Sequence, residues 1–173
     1  MHFARLLFLG LAIGLFAGTS APNRQEQGIA ENVPADIARQ VLLPPFSGTY
    51  DVSTRMNPFY LRGDFDGDGV PDYAMLIESK KSHLKGIGIW LSSRKTIIVL
   101  GAGQPFIING SGSRSLDFLN TWQVYGKKPV EGGVKAGPPP TLVGEAILVG
   151  KQESASGLIY WNGKEFRWYQ QGD

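Results

Sequence analysis

Apolar positions along the chain follow two rhythms. In "PADIARQVLLPP", residues 34–45, Ile37, Val41 and Leu42 recur at i, i+4 and i+5, which predicts a short helix that the Pro44-Pro45 pair ends. Beyond it the rhythm shortens. "YAMLIES", "GIGIWLSS" and "TIIVLG" are compact runs of β-forming residues separated by polar or glycine turns, and each predicts a strand. "LNTWQVYG" is a weaker strand candidate and "EAILVG" a further one. The fold class that follows is mainly β, a small antiparallel β-domain with a short N-terminal helix.

The C-terminal stretch "GLIYWNGKEFRWYQQ" carries the strongest hairpin signal, because Asn-Gly favours a two-residue type I′ turn. That turn at Asn162-Gly163 pairs Trp161 with Lys164, Tyr160 with Glu165 and Ile159 with Phe166. One face then carries Ile159, Trp161, Phe166 and Trp168, and is expected to face the core. A carbohydrate platform is the alternative use of these aromatics; burial is the commoner one. "GKKPVEGGVKAGPPPT", residues 126–141, has the composition of a long mobile loop, either a tolerated insertion or a binding element.

The N-terminal end reads differently. Arg5, the apolar run Leu6 to Ala17 and the small residues Gly18, Thr19, Ser20 and Ala21 have the layout of a secretory signal peptide. The run is shorter than the roughly 18–20 apolar residues that span a bilayer, which disfavours an uncleaved anchor. No cysteine follows it, so a lipid-anchored precursor is not indicated. Residues 1–21 are therefore expected to be a leader, 22–33 ("PNRQEQGIAENV") a polar flexible linker, and 34–173 a single β-rich domain. The expected location is secreted or periplasmic, with no membrane association after cleavage. Lys and Arg number 17 against 15 Asp and Glu, without a dense basic patch, so no nucleic-acid partner is indicated. The chain has no cysteine, which leaves its core, and a metal if one binds, to hold it together.

The densest chemistry lies in "LRGDFDGDGVPDYAML", residues 61–76. Counted from Asp64, carboxylates fall at positions 1, 3, 5 and 9 (Asp64, Asp66, Asp68, Asp72), with Gly69 at 6 and Val70 at 7. Hard cations such as Ca²⁺ take six to eight oxygen ligands in a flexible cage, and alternate aspartates in a tight loop converge on one point. Gly69 permits the turn, the Val70 carbonyl is a further candidate ligand, and Phe65 is free to anchor the loop in the core. A bound Ca²⁺ would halve the formal charge of −4 carried by these four aspartates. Mg²⁺ suits the pattern less, because it demands rigid octahedral geometry and fewer protein ligands. The loop is not an EF-hand: position 12 is Met75 instead of a bidentate Glu, and a strand pattern follows instead of a helix. An acidic solvated turn is the competing explanation.

"FYLRGDFDGDGVPDYAML", Phe59 to Leu76, resembles one FG-GAP repeat, the unit of integrin α-chain propellers, and the related VCBS repeats of bacterial secreted proteins; "GIGIWLSS" is similar to the next strand of such a unit. The resemblance implies calcium ligation by Asp64, Asp66, Asp68, Asp72 and the Val70 carbonyl, with Phe59 to Arg62 as the strand entering the loop. Only one copy is present, and a propeller needs several blades, so the expectation is a calcium-binding hairpin loop inside a small β-domain and not a full propeller.

Arg62-Gly63-Asp64 also spells an adhesion tripeptide, a weak match that conflicts with Asp64 as a metal ligand. Beyond the leader the one histidine is His83, among Lys80, Lys81 and Lys85, which reads as a solvated basic turn. With no cysteine and one histidine, Cys-His catalysis and a His-rich zinc site are excluded. No GxSxG motif occurs, and "GAGQPF" and "NGSGSRS" lack the Lys-Ser/Thr ending of a phosphate-binding loop. A glycosidase-type pair drawn from Asp117, Glu145 and Glu153 has no support in the spacing. The leading expectation is an exported, non-enzymatic protein with structural calcium that binds a protein or glycan partner. An envelope hydrolase with structural calcium and an adhesion module are the alternatives.

Overall fold

The strand-forming runs pair into two open antiparallel sheets. This computed structural model describes residues 24–133 and 137–172, so the expected leader lies outside the described residues. The first sheet contains β1 (Tyr50–Val52), β2 (Tyr60–Gly63), β3 (Asp72–Ser79), β4 (Lys85–Leu91) and β5 (Thr96–Gly101). Its order is β1-β3-β4-β5, and β2 pairs with the other half of β3. A two-stranded hairpin, β6 (Phe106–Ile108) with β7 (Ser111–Ser113), leads to the second sheet. That sheet, in the order β11-β10-β9-β8, is built from β8 (Thr121–Tyr125), β9 (Ala146–Gly150), β10 (Ser156–Trp161) and β11 (Phe166–Gly172).

The sheets face each other across the main core. Leu61, Leu76, Ile87, Ile89 and Leu100 of the first meet Trp122, Ile147, Val149, Ile159, Trp161 and Phe166 of the second. The opposite face of the first sheet, with Tyr73, Met75, Ile77 and Trp90, is covered by helices α1 (Arg24–Asn32), α2 (Ala35–Leu42) and α3 (Phe46–Thr49). The opposite face of the second sheet, with Tyr125, Leu158 and Tyr169, is covered by Val130 and Leu142 of the long connection between β8 and β9. Strands buried on both faces read as continuous apolar runs, which is why "YAMLI" shows no alternation.

Three expectations change. Residues 22–33 were expected to be a flexible linker, yet Arg24–Asn32 form a helix. Ile29 and Val33, one turn apart, are buried among Ile37, Val41 and Met75. Two apolar residues at i, i+4 suffice to dock an otherwise polar helix. The C-terminal hairpin keeps its predicted faces but not its register: Trp161 pairs with Phe166 and Ile159 with Trp168. The Asn162 carboxamide oxygen accepts the N–H groups of Lys164 and Glu165 at 2.9 Å each, and the Asn162 N–H reaches the Glu165 carbonyl. These local bonds favour a four-residue loop over the two-residue turn. The shift is two residues, so alternation is preserved and Ile159, Trp161 and Phe166 still enter the core. Finally, the described part of the Gly/Pro-rich stretch is tied down: the Tyr125 hydroxyl donates to the Pro129 carbonyl and the Tyr169 hydroxyl to the Gly137 carbonyl.

Because α1 contributes to the core, Ile29→Ala is expected to cost about 2–4 kcal/mol of stability, the usual penalty for truncating a buried aliphatic side chain. Urea unfolding followed by circular dichroism checks this, and a solvated linker residue would give no measurable change.

Candidate metal centre

β2 and β3 are antiparallel neighbours that close at Gly63 opposite Asp72. This register places Asp64 at the exit of one strand and Asp72 at the entrance of the next, so the two carboxylates bracket the loop. Between them Phe65 is fully buried and anchors the loop in the main core, as the sequence suggests. Gly67 and Gly69 take positive φ, 78° and 85°, which wraps the chain tightly enough to turn Asp66 back toward its neighbours.

Three of the aspartates converge. Each of Asp64, Asp66 and Asp72 offers one oxygen, and these oxygens lie within 4.8 Å of one another. Oxygens bound at roughly 2.3–2.6 Å from a common calcium ion can be up to about 5 Å apart, so the triad has dimensions that fit a cation. Asp64 accepts the N–H of Gly67 at 2.8 Å and of Gly69 at 3.1 Å. Asp72 accepts the N–H of Phe65 at 3.0 Å and of Ser92 at 2.8 Å. A carboxylate has about four lone-pair positions, so these bonds orient both groups and leave each with capacity for an ion.

Asp66 is the exception. Its side chain has 0% exposure, and neither carboxylate oxygen receives a hydrogen bond. Arg94 Nε approaches one of them to 2.8 Å, an ion pair without hydrogen-bond alignment. A buried carboxylate with no hydrogen bond is costly, and a cation at the triad would supply what it lacks. The donor set, all hard oxygen, suits the same class of ion.

Asp68 lies outside this group. Asp68 is exposed; it accepts the Val70 N–H at 2.8 Å and the Ser93 hydroxyl, and it does not belong to the convergent triad. These hydrogen bonds hold its carboxyl below the usual range, with that from Ser93 the largest cause. Burial, reinforced by the charge of Asp68, raises the pKa of Asp66 against the Arg94 charge and the nearby Asp68 N–H, which lower it. Asp72 is pushed up to about 6, chiefly by burial and next by its acidic neighbours Asp66 and Asp68, against the N–H bonds that lower it.

Two segments remote in sequence complete the site. The β4–β5 turn touches three aspartates with three successive residues: the Ser92 N–H on Asp72, the Ser93 hydroxyl on Asp68 and the Arg94 guanidinium on Asp66. Ser92 also donates its hydroxyl to the Pro71 carbonyl at 2.6 Å. From the second sheet, Glu145 accepts the Asp64 N–H at 2.8 Å and returns its own N–H to the Asp64 carbonyl at 2.7 Å. The neighbouring Gly144 is required by this contact, because a Cβ there would lie 2.3 Å from the Asp64 carbonyl oxygen. The loop is thus the point where the two sheets are tied together. Nothing local in "SSRK" or "VGEA" announces these roles, since the partners lie 20 to 81 residues from the aspartates.

The competing sites look different. Asp117 accepts the Lys85 N–H, Glu145 is engaged with Asp64, and Glu153 sits exposed in the β9–β10 turn, so these three carboxylates have separate surroundings. His83 is paired with Glu78 at 3.0 Å with its side chain 79% exposed, in keeping with a solvated turn. In the Arg62-Gly63-Asp64 tripeptide, Gly63 is buried and the Asp64 carboxylate is occupied by loop N–H groups. No helix among the described residues is long and apolar enough to cross a membrane. No protein-family model, curated protein or solved structure matches the chain.

The raised pKa values of Asp66 and Asp72 set a pH dependence for the metal-free protein. Both groups bind protons more tightly folded than unfolded, so stability is highest below about pH 4 with respect to them and falls as the pH rises, for Asp72 up to about 6. The Asp72 contribution is on the order of 3 kcal/mol. Urea unfolding in chelator between pH 4 and 7 is expected to show that decline, and Asp72→Asn is expected to flatten it.

Proposed function

We propose that this chain is an exported, non-enzymatic calcium-binding protein in which the ion is structural, and that it acts by binding another macromolecule, a protein or a glycan, in the cell envelope or outside the cell. The observation that carries the calcium reading is the Asp64, Asp66 and Asp72 triad with a buried carboxylate that lacks a well-aligned hydrogen bond. Asp68 and the Val70 carbonyl, at positions 5 and 7 of the same loop, would complete the cage with water. The likeness of residues 59–76 to an FG-GAP or VCBS repeat supports the same ion, and the leader-like pattern of residues 1–21 supports export.

Bound calcium would supply charge neutralisation and nothing reactive. The chain does the rest: Gly67 and Gly69 donate to Asp64, Phe65 and Ser92 donate to Asp72, and Glu145 holds the Asp64 backbone from the second sheet. Extracellular calcium is near millimolar, and extracellular modules bind at roughly 10⁻⁴ to 10⁻³ M, so even a weak site fills there. Calcium at tenfold over the dissociation constant adds about 1.4 kcal/mol of stability.

Thermal unfolding with calcium and with chelator tests the reading. A saturable rise of roughly 3–6 °C is expected for a domain of this size. An identical melting temperature in both conditions would sink it. In isothermal titration calorimetry, Asp66→Asn is expected to weaken calcium binding by about tenfold or more, since it removes the charge of the enclosed ligand. Asp68→Asn is expected to weaken it less, because that carboxylate is exposed and already bonded to Ser93 and Val70.

A further inference from the structure

Arg94 is the only cationic group that the described residues bring into an ion pair with the aspartate loop. We propose that it is the loop's resident counter-ion, which a divalent cation has to displace from Asp66, and that it thereby sets the affinity of the site. The proposal rests on the reading of the loop as a cation site and adds to it the residue that tunes occupancy.

The geometry at Arg94 is that of a replaceable partner. Its Nε lies 2.8 Å from the Asp66 carboxylate, which is fully enclosed, while the Arg94 side chain is 47% exposed. The contact brings charge but no aligned hydrogen bond, so Asp66 is neutralised without being satisfied. An arginine cannot vacate the pair by losing its proton, because its pKa lies far above any physiological pH. It has to move, and it has somewhere to stay: its guanidinium already lies 5.0 Å over the ring of Trp161, which attracts a cation through its π-face. The backbone beneath it is fixed by Ser92 and Ser93, whose bonds to Asp72, Pro71 and Asp68 hold the β4–β5 turn against the loop. A small displacement of one side chain, from carboxylate toward ring and solvent, is all the exchange requires. A divalent ion among Asp64, Asp66 and Asp72 would otherwise share Asp66 with a unit positive charge at close range, and their repulsion lowers its affinity.

Calcium titration calorimetry on the purified protein tests this, with Arg94→Gln and Arg94→Met as neutral variants and Arg94→Lys as the charge-preserving one. Arg94→Met retains an unbranched apolar chain beside Trp161, so it guards against a packing defect in the Gln variant. Both neutral variants are expected to bind calcium about tenfold more tightly, the effect of removing one unit charge a few ångströms from the ion in a largely solvated setting. Arg94→Lys is expected to stay within about twofold of the unsubstituted protein, because the competing charge remains. Unchanged or weaker binding in the neutral variants, with binding intact in the unsubstituted protein, overturns the role of Arg94 and leaves the calcium site standing. Binding that appears in the neutral variants alone supports it. No binding in any of the proteins at about 10 mM calcium removes the cation site itself, and this inference with it.

Discussion

A carboxylate enclosed by protein is costly unless its charge is matched and its oxygens are hydrogen-bonded, and Asp66 has a charge partner in Arg94 but no well-aligned hydrogen bond. Much of the surrounding architecture answers that charge. Arg94 is brought to it from the β4–β5 turn, and Asp64 and Asp72 are placed beside it by the closing register of β2 and β3. Those two add further negative charge where a compact loop would ordinarily avoid it. The backbone does what it can, with four N–H groups aimed at Asp64 and Asp72. Asp66 has the Arg94 guanidinium and the nearby Asp68 N–H, neither in good hydrogen-bond alignment. The imbalance is local and specific, and it gives the loop a chemical meaning that its composition alone lacks.

The same loop has a mechanical position. The two sheets share the main core, but their chain connections run through the β6–β7 hairpin and β8. Direct polar contact across the loop comes from Glu145, which enters just before β9 and locks onto the Asp64 backbone through reciprocal hydrogen bonds, with Gly144 packed closely beside it. The long connection covering the outer face of the second sheet ends at this clasp, with Leu142 packed against that sheet two residues earlier. Order in the aspartate loop is therefore coupled by direct contact to the outermost layer, while Phe65 couples it to the innermost.

What could be read from the sequence was local. The aspartate spacing, the glycine at position 6, the anchoring of Phe65 and the strands β3, β4, β5, β9 and β10 all depend on neighbours within a few residues, and they follow from pattern alone. The features that escaped depend on tertiary context or on competition between local bonds. Helix α1 has a polar sequence, and Ile29 and Val33 acquire their meaning only when the outer face of the first sheet is there to receive them. The hairpin register turned on the Asn162 carboxamide, whose two backbone bonds outweigh the preference of Asn-Gly for a tighter turn. Glu145 was visible as a carboxylate, but its partner is a backbone amide 81 residues earlier, which no spacing rule reaches.

The site's enclosure bears on what kind of chemistry it can host. On the side of the second sheet, Gly144 lies so close to the loop that a single added carbon would meet the Asp64 carbonyl oxygen at 2.3 Å and the Gly67 nitrogen at 2.6 Å. Beneath it Phe65 fills the core. The face that remains toward solvent is Asp68-Gly69-Val70, all exposed. Behind this face lie the half-buried Asp64 and the buried Asp66 and Asp72. The aspartates consequently differ in what they offer: Asp64 and Asp72 are oriented by the chain, Asp66 is unsatisfied within it, and Asp68 stands at the surface with the lowered pKa of a well-bonded anion. The three inner carboxylates thus form a group of dimensions that could hold a metal ion, with Asp68 at its solvent edge.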